Sequence, residues 1–187
     1  MDRIAVIETP AGAPFEAPYR LWRNHPAAGL DFPDMAPSSV DGAVARRLVD
    51  ALAACLPGDV EILAGIDMGG FGLAGALAYR NGLGFVDVRK VGSIRADVIR
   101  VVMENYHLGE GIAISKGCRL TGRNVAIIDD CLVSGATASS AAKLVRTLGA
   151  RCVTALFVYE LESMGGREKL ASDGIAAHVL RALPRAA

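Results

Sequence analysis

Apolar residues recur along this chain in two rhythms. Val125-Ala126-Ile127-Ile128 is an unbroken, largely β-branched run, the pattern of a strand covered on both faces in a parallel sheet. From Thr137 onward Ala141, Leu144, Val145 and Leu148 fall at helical spacing, and Gly149 follows as a C-terminal cap. Earlier in the chain, residues 41–56 predict a helix with Val44, Leu48, Leu52 and Cys55 on one face, closed by Pro57-Gly58. Residues 61–64 predict a strand, residues 65–71 a glycine-rich turn, and Leu73, Ala76 and Leu77 a helix that stops at Asn81-Gly82. A strand over 84–88 runs into Arg89-Lys90, and 153–159 supplies a further buried strand. Residues 91–117 alternate weakly, as a β-hairpin or a flap would, and 9–37 are rich in Pro and Ala. With no linker, repeat or low-complexity block, residues 1–187 predict one α/β domain.

The most informative stretch is 125–138, where the apolar strand meets two adjacent carboxylates and then a Ser/Gly/Thr turn that opens a helix. A parallel sheet delivers ligands to its carboxyl edge. Asp129 and Asp130 sit at that edge, suited to accept hydrogen bonds from vicinal sugar hydroxyls. Val133, Ser134, Gly135, Ala136 and Thr137 have small side chains that leave backbone N–H groups open to a phosphate at a helix N-terminus. The same pattern also caps ordinary helices, so the residues alone leave both readings open. The loop lacks the Lys of a Walker A motif and the three glycines of a dinucleotide fingerprint.

Composition narrows the choice of partner. Lys plus Arg and Asp plus Glu are 20 each, so no global field draws nucleic acid or an anionic membrane, and anion recognition has to be local. A hydrophobic share of 52% and a mean hydropathy of +0.34 exclude a disordered chain. The first residues carry no signal-peptide apolar region and no run is long enough for a membrane span, so a cytoplasmic location is expected. Cys55, Cys118, Cys131 and Cys152 are far apart and form no C-x-x-C pair, which argues against zinc and disulfides. Cys131, beside the Asp pair, reads as a packing residue, and His25, His107 and His178 as surface or loop residues.

Several stretches resemble the adenine phosphoribosyltransferases over residues 24–170: Gly65-Ile66-Asp67, 74–80, Gly84-Phe85-Val86-Asp87-Val88-Arg89-Lys90, the Asp-Asp loop, Glu160-Leu161 and Gly165-Gly166-Arg167-Glu168-Lys169-Leu170. The Asp-Asp loop alone indicates the wider family that uses phosphoribosyl pyrophosphate; Val88-Arg89-Lys90 and the Gly165–Leu170 stretch point to its adenine branch. The resemblance implies a Rossmann-like parallel sheet flanked by helices, with a small N-terminal hood over 1–37 and a β-flap over 91–117. It implies transfer of phosphoribosyl from phosphoribosyl pyrophosphate to a purine, adenine first, with another purine, a modified heterocycle or a non-catalytic nucleotide sensor as alternatives. By the same resemblance Asp129 and Asp130 hold the ribose and Val133 to Thr137 the 5′-phosphate, while Asp67, Met68, Gly69 and Gly70 form the pyrophosphate loop. Arg89 and Lys90 add positive charge, Phe32 stacks on the base, and the Pro33 carbonyl reads its exocyclic amine. Mg2+ is implied as a cofactor held mainly by the substrate's pyrophosphate and hydroxyls, and a homodimer as the assembly.

The departures from that family are specific. Its pyrophosphate loop usually reads Glu-Ala-Arg-Gly; here Gly69 stands in place of the Arg. The flap's proton-handling Glu falls at Tyr106 and an expected Lys at Ser93, which leaves Glu104 as the nearest carboxylate and the catalytic candidate beside Arg89 and Asp129. The Arg usual after the stacking Phe is Pro33, and the residue before it is Asp31, free to accept from a base N–H or to face water.

Overall fold

Alternation of buried Ala5 and Ile7 with exposed Ile4 and Val6 makes β1 (Arg3–Thr9) a strand with one covered face. In the computed structural model, which describes residues 2–10, 12–25, 28–90, 98–102 and 111–184, β1 pairs antiparallel with β2 (Gly12–Trp22), and β2 with β3 (Phe32–Asp34). The Pro/Ala-rich segment is therefore largely a small sheet. Its prolines hid the strand pattern, yet Pro14 and Pro18 are accommodated in β2, where the Pro18 carbonyl accepts from Ser38 Oγ at 2.6 Å.

A short helix, α1 (Ala36–Val40), leads into α2 (Gly42–Ala54), whose N-cap Asp41 accepts from the Ala43 and Val44 amides at 2.9 and 3.2 Å. Leu48, Ala51 and Leu52 form its buried stripe. Strand, helix and strand then alternate through β4 (Ile62–Ile66), α3 (Gly69–Asn81) and β5 (Gly84–Lys90). On α3 the buried stripe is Leu73, Ala74, Leu77 and Ala78, so Ala76, expected on that face, points outward. A hairpin follows in β6 (Val98–Val102) and β7 (Gly111–Ser115), and the order continues with β8 (Asn124–Leu132), α4 (Ala136–Thr147), β9 (Arg151–Leu161), α5 (Gly166–Ser172) and β10 (Ala176–Leu183). The last strand has no counterpart in the sequence reading.

The seven strands from β4 on form one sheet in the order β10-β9-β8-β4-β5-β7-β6, parallel from β10 through β5 and antiparallel in β7 and β6. This is the predicted α/β fold class, with the hairpin extending the sheet at one edge. The chain leaves β4 toward β5 on one side and leaves β8 toward β9 on the other, so β4 and β8 are neighbours that diverge. Such a divergence opens a crevice at the strands' carboxyl ends. Two cores fill the two faces: Ala126 and Ile128 pack with α2, α3 and the small sheet, while Val125 and Ile127 pack with α4 and the hairpin. No helix among the described residues is long and apolar enough to cross a membrane.

Candidate active site

The crevice between β4 and β8 collects the chemistry. β8 runs on to Leu132, so Asp129 and Asp130 belong to its last turns of pleat rather than to the loop after it. The Asp130 amide donates to Asp129 Oδ1 at 3.0 Å. Beside them, past the end of β4, the turn Asp67-Met68-Gly69 contains a cis Asp67–Met68 peptide. Asp67 anchors this turn to β5: its amide donates to the Val88 carbonyl at 2.9 Å and its Oδ2 accepts from the Lys90 amide at 3.3 Å. A cavity of about 640 Å³ opens over these residues, lined also by Lys90 and by Val133, Ser134, Gly135, Ala136 and Thr137.

The loop that opens α4 has the geometry of an anion cradle. Gly135 takes φ +75° at the N-cap, a conformation that L side chains rarely adopt, and the first residues of α4 that follow it, Ala136 to Ala138, line the cavity. A Cβ built on Gly135 would also meet the Gly166 carbonyl at 2.8 Å, so the start of α5 braces the loop from behind. Ser139 Oγ adds a 2.5 Å bond to Asp173 Oδ2, and Lys169 Nζ lies 3.1 Å from the same oxygen. The Gly165–Leu170 stretch thus acts as a buttress.

Electrostatics set the two carboxylates apart from the rest of the surface. Asp129 and Asp130 open onto the cavity but sit deep among protein atoms. Burial pushes Asp129 well above the usual carboxylate range, the neighbouring Asp130 charge pushes it further, and Lys90 opposes both. Burial also raises Asp130, against the hydrogen bonding from Asp129 and the local backbone. Burial and the same two carboxylates hold the Cys131 thiol well above its ordinary value, which fits its reading as a packing residue and disfavours a thiolate nucleophile.

At the small sheet's side of the cavity three rings gather. Trp22 and Phe32 have centroids 6.4 Å apart and planes 34° apart, and His25 stands edge-on to both, at 5.2 Å and 88° from Trp22 and at 5.9 Å and 85° from Phe32. All three line the cavity. Phe32, expected at the site, lines the cavity; Trp22 was missed; and His25, an exposed loop residue as the sequence suggested, lines the cavity as well. The available signal was weak: an aromatic at position 22 with an imidazole three residues on, in a chain with one tryptophan.

Other expected site residues are placed differently. Arg89 lies on the opposite side of β5 from Lys90, as strand alternation requires, and its guanidinium donates to Asp87 Oδ2 at 2.8 Å; it does not line the cavity. Gly70 is buried under the Ile128 carbonyl and Pro33 is buried opposite Leu21, and neither is among the residues that line the cavity. Asp31 neither faces a base nor stands free, because its carboxylate accepts from Arg23 Nη1 at 2.8 Å and from the Asn24 amide at 3.2 Å. Glu104, Tyr106, His107 and Ser93 lie outside the described residues.

Residues 42–175 match the model of the phosphoribosyl transferase domain. The chain is 33% identical to the adenine phosphoribosyltransferase of Brucella anthropi over 158 residues, 84% of this chain and 87% of that protein. The chain belongs to the adenine phosphoribosyltransferase family. Among solved members, that of Thermoanaerobacter pseudethanolicus superposes with a TM-score of 0.79 at 32% identity, covering 88% of this chain and 95% of that one. The Saccharomyces cerevisiae enzyme, solved with adenine and an imino-altritol bisphosphate, gives 0.76 at 30% identity, covering 87% and 94%. Set beside this family, the absent loop arginine has a structural counterpart: the space at Gly69 is taken up by the Asp130 side chain.

Proposed function

We propose that this chain transfers the 5-phosphoribosyl group of phosphoribosyl pyrophosphate to the ring nitrogen of adenine, releasing pyrophosphate and AMP. The observation that carries the reading is one cavity in which the Asp129-Asp130 pair, the 133–137 loop and the Trp22/His25/Phe32 rings meet. Each part suits one piece of the product: carboxylates for ribose hydroxyls, backbone amides for the 5′-phosphate, and rings for a planar base. Family membership and a relative solved with adenine support the same assignment.

The reaction breaks the bond from C1 of the ribose to the pyrophosphate oxygen and forms one to a purine nitrogen, through a transition state with oxocarbenium character. Its main demand is electrostatic. Charge grows on the departing pyrophosphate, and the Lys90 ammonium is the one cationic side chain among the described residues lining the cavity. A preorganised donor of this kind is typically worth ~3 kcal/mol. Lys90 thereby takes the part expected of Arg89 and of the absent loop arginine. Closure of a flap over residues 91–117 would keep water from the sugar cation, and Glu104 is our candidate for handling the purine proton.

Mg2+ fits this donor set. Two adjacent carboxylates, both raised by burial and Asp129 also by the Asp130 charge, favour a hard cation nearby, and among the described residues no third His, Cys, Asp or Glu converges to make a closed metal site. Asp129 and Asp130 would hold the ion through the ribose hydroxyls, with the substrate supplying the remaining oxygens. When bound, such an ion neutralises leaving-group charge. We further propose a cytoplasmic homodimer.

The deciding experiment is pyrophosphate release from phosphoribosyl pyrophosphate and Mg2+ with adenine, hypoxanthine, guanine and xanthine supplied separately. Fast release with adenine supports the proposal. Release only with another base moves the specificity, and tight binding of phosphoribosyl pyrophosphate without release for any base favours a sensor or an acceptor outside the panel.

A further inference from the structure

We infer that His25 reads the hydrogen-bonding edge of the base and helps to set which heterocycle is accepted, an inference that rests on the phosphoribosyl transfer proposed above. Three observations converge on it. First, the ring is held in place: Asn24 takes φ +53°, its Oδ1 accepts from the Gly29 amide at 2.9 Å, and the His25 amide donates to the Leu30 carbonyl at 2.7 Å. The turn is closed at its other end by Asp31, which takes the Asn24 amide and Arg23. His25 is thus carried on a cross-linked turn.

Second, the imidazole stands nearly perpendicular to Trp22 and Phe32, which are tilted by only 34° from one another. A flat base stacked on Phe32 lies close to the planes of those two rings and meets His25 along its own periphery. Purines carry their donors and acceptors on that periphery.

Third, the other polar side chains at this side of the cavity are one-sided, the carboxylates accepting and the Trp22 indole only donating. Asp31 already accepts from Arg23 and Asn24, Asp34 Oδ1 accepts from the Ala36 amide at 2.9 Å, and Pro33 offers a carbonyl but no N–H. Among the described residues the ring nitrogens of His25 have ring neighbours but no hydrogen-bond partner. An imidazole supplies both donor and acceptor when neutral, so it can complement a substituted purine edge that an all-apolar slot would leave unpaired.

The test separates this role from simple packing. His25→Phe keeps an aromatic ring against Trp22 and Phe32 and removes only the polar edge. Trp22 is the only tryptophan in the chain and lines the cavity, so its emission reports ligand binding without turnover. The probes are AMP, adenine and unsubstituted purine, with phosphoribosyl pyrophosphate kinetics alongside. The inference predicts that H25F weakens adenine and AMP binding by about tenfold, typical of one lost hydrogen bond to a desolvated polar group. It also predicts that the preference for adenine over purine shrinks, and that the KM for phosphoribosyl pyrophosphate and the melting temperature stay put. Equal affinities for wild type and H25F would overturn it while leaving the transfer reaction standing. A wild-type Trp22 signal indifferent to both AMP and adenine would overturn the two together.

Discussion

Asp130 lies where a side chain at position 69 would have to begin: a Cβ built on Gly69 falls 2.7 Å from Asp130 Cβ and closer still to its carboxylate. Gly69 opens α3 just past β4, Asp130 lies on the neighbouring strand β8, and the two positions share one volume. A glycine at 69 and an inward carboxylate at 130 are therefore a matched pair. Gly69→Ala should displace Asp130 and weaken phosphoribosyl pyrophosphate binding by about tenfold, and Gly69→Arg, which restores the family's usual residue, should lower turnover instead of raising it. Calorimetric titration and initial rates check both; faster turnover in Gly69→Arg would contradict the pairing.

Asp129→Asn combined with Asp130→Asn should abolish ribose binding and yet stabilise the ligand-free fold. The folded-state pKa values of these carboxyls are raised by burial, so above the unfolded carboxylate range the folded state binds more protons than the unfolded one. Their contribution to stability is accordingly most favourable at acid pH and is lost as pH rises through the raised folded values. The double variant removes that loss, and thermal unfolding at pH 7 should rise by about 2–4 °C, the response to ~1 kcal/mol in a domain of this size. The gain should vanish as pH falls to the unfolded carboxylate range. Retained affinity for phosphoribosyl pyrophosphate would refute the ribose site.

Lys90 and Arg89 make a controlled comparison on one strand. Lys90→Met removes cationic charge from the cavity and should lower kcat/KM by about a hundredfold, in line with ~3 kcal/mol of leaving-group stabilisation. Arg89→Met breaks an ion pair to Asp87 on the other side of β5 and should cost less than about tenfold. The reverse ranking would return the leaving-group role to Arg89.

Gly135→Ala tests the phosphate cradle. The residue sits at φ +75° with the Gly166 carbonyl against it, so an added methyl strains the backbone and pushes the start of α5 away. We expect a loss of about 1–3 kcal/mol in stability and weaker AMP binding, measured by denaturant unfolding and by Trp22 emission. Gly174→Ala, equally positive in φ at +70° but with open space around it, should lose stability while keeping AMP affinity.

Much of the site was legible before any coordinates. The Asp129-Asp130 pair and the small residues from 133 to 137 are local in sequence, so an apolar strand, a turn and a helical period suffice to place them at a sheet edge. Phe32 and Lys90 joined the site through family resemblance alone. What failed was nonlocal. Pro14 and Pro18 masked β2, which exists because β1 and β3 pair with it on either side. Asp31 looked available until Arg23 closed on it, and Arg89, expected beside the leaving group, is turned by strand alternation toward Asp87.

The amino-acid order by itself determined the βα periodicity, the buried faces of α2 and α4, and the run of apolar strand, carboxylate pair and small-residue turn over 125–138, because these depend on neighbours within a few residues. The tertiary structure alone decided that β4 and β8 lie side by side, and so which turn faces the carboxylates. It also gathered Trp22, His25 and Phe32 into one slot and filled the space at Gly69 with Asp130. Such relationships join residues far apart in the chain through sheet order and packing, and no local pattern encodes which distant side chain will take up a given volume or ion-pair partner.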